Sequence, residues 1–191
     1  MHRKRLAGAA GAVALTVLLA GCGGEPGPKE TAPDANGAPS PSASSPSASA
    51  SSDPKAAEEQ AALAAYQGMW RAHAVAVQKA SEKGTRIEDY ASGEALATIR
   101  QDIRTMREAG TRANGKLGHE PKAKVDLKSS PPTATITDCL DLKDWETTRD
   151  GKPLPLPSEQ PMRYRTTAQA EQWDDGRWRV IQYTQHGEQT C

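Results

Sequence analysis

The sequence predicts an α+β domain, two amphipathic helices followed by an antiparallel meander, carried behind an export signal and an unstructured tether. Three observations lead there. Apolar residues recur at helical spacing between Ala62 and Met106, and beyond Val125 they alternate with polar ones. The first 54 residues contain a cationic run, an apolar run and a Ser/Pro/Ala-rich run, none of which can join a core. Helices first and strands afterwards put the helices on one face of the sheet.

His2, Arg3, Lys4 and Arg5 precede an uncharged stretch from Leu6 to Ala20, which is the layout of an export signal. That stretch is about 15 residues long, short of the roughly 20 that a membrane-spanning helix needs. It closes on Leu19-Ala20-Gly21-Cys22, which resembles the lipobox of bacterial lipoproteins. By that resemblance residues 1–21 are a signal peptide. Cys22 then becomes the new N-terminus, takes diacylglycerol on its sulfur as a palmitate-type lipid anchor, and holds the protein on the extracytoplasmic face of the cell membrane. The competing interpretation is an ordinary signal with a coincidental cysteine. Cleavage removes three of the 24 basic residues, leaving 21 against 24 acidic ones. A mildly acidic chain without a basic stripe gives no footprint for nucleic acid.

Residues 22–54 form the lipidated Cys and its tether. From Gly23 to Pro54 there is no Leu, Ile, Val, Met or aromatic residue, so the segment cannot bury enough apolar surface to offset its ordering entropy. As a flexible coil it spans roughly 30 Å. Ser40 to Ser52 offer hydroxyls to O-linked sugars.

All four Trp and all four Tyr lie in residues 55–191, a comfortable length for one core. Asp53-Pro54 supplies an N-cap and a first helical residue. Ala62, Tyr66, Met69, His73, Val77 and Ala80 then mark one face of a long helix, with Trp70 beside it and Gly84 as its stop. Ser92 caps a second helix in which Leu96, Ile99, Ile103 and Met106 form the stripe and Gly110 the end. Strands follow at Val125 to Leu127, Thr133 to Leu140 and Met162 to Trp173. Asp174-Asp175-Gly176 then turns the chain into Arg177 to Gln185, where Trp178 and Val180 share a face. Asp141 to Pro161, with five charged residues and Trp145 before Asp150-Gly151 and then Pro153, Pro155 and Pro157, reads as a long loop. With Cys22 assigned, Cys139 and Cys191 are the remaining pair. In an oxidising compartment they either form a disulfide or stay as two free thiols.

Several segments together resemble the NTF2-like (cystatin-like, ketosteroid-isomerase-like) superfamily found in many actinobacterial lipoproteins. They are Tyr66 and Trp70 on the first helix, Tyr90-Ala91-Ser92-Gly93, Thr137-Asp138-Cys139-Leu140-Asp141, and Asp175-Gly176-Arg177-Trp178-Arg179-Val180. The resemblance covers roughly Glu58 to Cys191 and implies a cone of helices and sheet whose open end can hold a small molecule. No early strand is visible between the helices, where several members carry one.

The resemblance permits catalysis without requiring it. Asp89, Tyr90, Asp138 and Tyr164 are the acid, base or oxyanion-donor candidates, against a plain role as turn, strand-edge or core residues. His73, His119 and His186 show no metal-ligand spacing, and His73 falls on the apolar helix face as a core or pocket residue. There is no nucleophile elbow and no phosphate-cradling loop, so no cofactor is expected. Among the aromatics, Tyr66, Trp70 and Trp145 are the candidate pocket or contact residues, Trp145 because it lies in the loop. Taken together, the sequence leads to a tethered, non-catalytic module that binds an envelope protein, a cell-wall component or a small ligand. A small-molecule carrier or isomerase using the cone is the alternative, and a purely structural spacer stapled by a disulfide is a third.

Overall fold

The computed structural model describes residues 53–191, so the expected signal peptide 1–21, the lipidation site Cys22 and the tether up to Ser52 lie outside the described residues. The elements run α1 (Pro54–Lys79), a 3-10 turn (Ile87–Asp89), α2 (Gly93–Glu108), β1 (Thr111–Gly118), β2 (Lys122–Asp126), β3 (Thr133–Arg149), β4 (Lys152–Leu154), β5 (Arg163–Gln172) and β6 (Trp178–His186). Two helices therefore pack on an antiparallel six-stranded sheet, an α+β fold. No helix among the described residues is long and apolar enough to cross a membrane.

Asp53 caps α1 by accepting the Lys55 amide at 3.0 Å, with Pro54 as the first helical residue. The predicted face is buried throughout: Ala62, Tyr66, Met69, His73, Val77 and Ala80 are all in the interior. The helix ends earlier than Gly84. Ala80 takes a left-handed conformation (φ 46°), its amide bonds Val77 and the Ser81 amide bonds Ala76, the double closure of a Schellman ending. Ser92 does stand at the start of α2, but its hydroxyl makes no capping bond and is buried without a partner. Its amide is committed instead to the Val180 carbonyl, while Val180 donates back to Tyr90. These bonds cover the outer side of edge strand β6.

β3 organises the sheet. One side of it pairs first with β2 (Thr137 opposite Lys122) and then with β1 (Arg149 opposite Thr111), and the other side pairs with β5 and, at its far end, with β4. The expected loop from Asp141 is thus in large part strand, since β3 continues to Arg149 and Asp150-Gly151 turn it into β4. Charged side chains mask this strand in the sequence. Lys143 and Asp144 are exposed on this extension, which is held by backbone pairing to β1 rather than by burial. β1 was not anticipated either: Asn114, Gly115 and Lys116 are poor strand formers. Gly115 (φ 97°) is obligatory there, because any Cβ would run into the Asp144 carbonyl.

One face of the sheet is buried under the helices. Ala134, Ile136, Leu140 and Leu142 of β3 alternate inward, as do Tyr164, Thr166, Ala168 and Ala170 of β5, and Trp178 and Val180 complete the layer. Trp178 is core, as its alternation with Val180 implied, and its indole N–H donates to Glu58 on α1 at 2.7 Å. Cys139 and Cys191 form a disulfide that ties the C-terminal tail to β3.

Candidate functional site

A cavity of about 260 Å³ lies between α1, α2 and the buried face of the sheet. Val77, Met106, Ala113, Leu117, Leu140 and Leu142 give it apolar walls, Trp70, Trp145 and Tyr164 add aromatic faces, and His73, Asp102 and Gln185 are its main polar groups. Concave, largely apolar and furnished with a few convergent polar groups, it has the makeup of a small-molecule site.

His73 is the group most in need of explanation. It is only 7% exposed, and neither ring nitrogen has a hydrogen-bond partner among the described residues. Burial pushes its pKa down to about 4, so at neutral pH it is an uncharged imidazole with one N–H and one lone pair unused. Nε2 lies 3.8 Å from Oδ2 of Asp102, beyond hydrogen-bond range. Burial raises the Asp102 carboxyl above the usual range, partly opposed by the nearby Tyr183 hydroxyl. That hydroxyl faces Asp102 without closing a well-formed bond, and its own pKa is pushed up by burial and by the carboxylate. Tyr164 is better satisfied, since its hydroxyl donates to Gln185 Oε1 at 2.7 Å, and burial raises its pKa as well.

No protein-family model matches the chain, and no curated protein matches it in sequence. Among solved structures, the crystal structure of the intermembrane space region of the chloroplast protein ARC6 is similar at a TM-score of 0.43 and 11% identity, over 66% of this chain and 95% of that one.

The residues singled out from the sequence fall in three places. Trp70, His73, Trp145 and Tyr164 line the cavity. Trp145 does so from strand β3, opposite Gly115, and not from a loop. Tyr66 and Asp138 form a separate buried cluster. Tyr66 Oη donates to Asp138 Oδ2 at 3.0 Å, His119 Nδ1 lies 2.7 Å from the same oxygen, and the Glu120 amide donates to Oδ1 at 2.6 Å. Asp138 is thus neither a turn nor an edge residue. It sits in mid-strand, where the break between β1 and β2 leaves β3 unpaired on one side, and its carboxyl clamps that break to α1. The same contacts push the Tyr66 phenol far above its usual range, burial first and Asp138 second. Asp89 and Tyr90 lie away from the cavity: Asp89 pairs with Arg86 at 2.6 Å and Arg177 at 3.5 Å, and the Tyr90 ring fills the space left by the missing side chain of Gly68.

Asp102 was not singled out from the sequence. Its only signal was position, three residues after Ile99 and four before Met106, at the margin of the apolar stripe of α2. Gln185, near the end of β6, carried no signal at all.

Proposed function

We propose that this protein is a lipid-anchored extracytoplasmic binding protein whose NTF2-like domain holds a small molecule in the cavity between its helices and its sheet. The observation that carries the reading is His73, a buried ring with two unused nitrogens facing an aromatic-walled space. A buried polar group without a partner costs stability, and a ligand that satisfies it recovers that cost. The helix-first order, the long β3 and the helices over one sheet face support the NTF2-like assignment. The lipobox at Cys22 and the tether composition support the membrane address. Docking of an envelope protein or cell-wall component through Trp145 has less support, because that indole is turned into the cavity wall.

Ala113 is 2% exposed and lines the cavity, so Ala113→Leu fills the space. Titration of a set of ring compounds, followed by indole fluorescence, should give saturable binding to the wild-type chain and none to Ala113→Leu. Equal binding by both would remove the cavity from the account. Membrane anchoring is checked separately: the wild-type chain should partition into detergent and Cys22→Ala into water, and identical partitioning would exclude lipidation. A second reading, proton transfer on the bound molecule, draws on the raised Asp102 carboxyl. It requires turnover that Asp102→Asn abolishes.

A further inference from the structure

The charge around the cavity narrows the chemistry of its ligand. Asp102 is the sole acidic residue in the lining, and no Lys or Arg lines it. Among the described residues Asp102 has no Lys or Arg in ion-pair contact. The one basic group within 4 Å among the described residues is His73, which burial keeps neutral. The carboxylate therefore stands half-exposed, without a Lys or Arg counter-charge among the described residues, and is available to a cationic group.

The walls share that preference. Trp70, Trp145 and Tyr164 present aromatic rings, whose negative faces attract cations and repel anions. Beside the carboxylate, the neutral imidazole of His73 offers a lone pair and is more than nine-tenths buried with nothing bonded to it. A carboxylate, a lone pair and aromatic faces around an apolar floor match a group that only donates hydrogen bonds and carries positive charge.

We infer that the ligand is a protonated organic amine with an apolar ring body, its ammonium held by Asp102 and His73 and its ring against Trp70 and Trp145. This rests on the cavity being a binding site, as proposed above. The competing polarity is also present on the molecule. Behind Trp70 and Leu117 lies a second depression with Arg71, Lys116 and His119 and no acidic residue. A carboxylate-bearing ligand would be drawn there instead.

Three probes of nearly one shape separate these cases: 2-phenylethylamine, 2-phenylethanol and 3-phenylpropionate, titrated calorimetrically into the full chain at pH 7.5. The amine should bind about tenfold or more tightly than the alcohol, given the strength of charge-assisted hydrogen bonds, and the carboxylate should bind weakest. Asp102→Asn, a change on a half-exposed helix position, should bring the amine down to about the affinity of the alcohol. Equal or tighter binding of the alcohol, tighter binding of the carboxylate that Ala113→Leu abolishes, or an amine affinity insensitive to Asp102→Asn would overturn the amine assignment while leaving the cavity as a binding site. Failure of all three probes to bind would overturn the assignment and the binding function together.

Discussion

Asp138 gives the sharpest test of how the cavity is held open. Its carboxyl accepts from the Tyr66 hydroxyl on α1 and the Glu120 amide and contacts His119, so one side chain joins the helix, the β1–β2 break and β3. Asp138→Ala strips the acceptor from all of these while Tyr66 remains 0% exposed. A hydrogen bond to a charged group contributes about 1.5–3 kcal/mol, and breaking a buried charged cluster costs about 3–5 kcal/mol rather than the sum of its bonds. The expected loss is therefore about 3–5 kcal/mol, a large part of the roughly 5–15 kcal/mol that holds a domain folded. Tyr66→Phe alone should cost about 1.5–3 kcal/mol and, in the Asp138→Ala background, close to nothing, since its partner is already gone. Urea unfolding followed by tryptophan fluorescence, with the disulfide kept oxidised, measures all four corners of this cycle. An Asp138→Ala loss below about 1 kcal/mol, or strict additivity of the two changes, would refute the clamp.

Other outcomes follow from single contacts. Gly68→Ala should destabilise the protein by about 1–2 kcal/mol although Ala is the better helix former, because its Cβ would overlap the Tyr90 ring. The sign should reverse in a Tyr90→Ala background, and a gain in thermal midpoint for Gly68→Ala alone would contradict the packing. Replacing Cys139 and Cys191 by Ser opens a loop closed at a sequence separation of 52, for which chain entropy gives a loss of about 4 kcal/mol by denaturant titration; an unchanged midpoint would deny the bond a stabilising role. The pH dependence has a defined sign. Unfolded histidine takes up its proton near pH 6.5, whereas folded His73 does so only near about 4. The unfolded state therefore binds more protons in that window, and stability falls as pH drops through it, by about 3 kcal/mol in total. Asp102, raised by burial, acts in the opposite direction and offsets part of the fall. His73→Leu should flatten the curve between pH 6.5 and 4, and an identical slope in both proteins would be inconsistent with a buried neutral imidazole.

The helices were legible because their interior faces repeat every three or four residues, from Ala62 to Val77 and from Ile99 to Met106. The β5–β6 hairpin was legible because Asp174-Asp175-Gly176 stands between alternating runs. The middle of the sheet was hidden for a physical reason: β1 and the outer half of β3 are strands through mutual backbone pairing, with Gly115 and a row of charged side chains where β-branched residues would give a signal. Four of the cavity residues could be named in advance as candidates, since His73 and Trp70 lie on a periodic helix and Trp145 and Tyr164 are aromatic. Its polar partner depends on distance in space. Asp102 meets His73 across two helices 29 positions apart, and nothing local to Asp102 announces it. Asp138 was noticed, but its burial arises from the break between β1 and β2, which the sequence does not display.

The indole N–H resonances offer the most direct measurement of ligand binding in the cavity, because the four tryptophans report on different surroundings. Trp70 and Trp145 line the cavity, Trp178 is bonded to Glu58, and Trp173 is exposed and lies under Arg179 at 4.7 Å. On adding 2-phenylethylamine or 2-phenylethanol to nitrogen-15-labelled protein, the Trp70 and Trp145 signals should shift saturably while that of Trp173 stays fixed. Shifts confined to Trp173, or none at saturating probe, would contradict a binding function for the cavity.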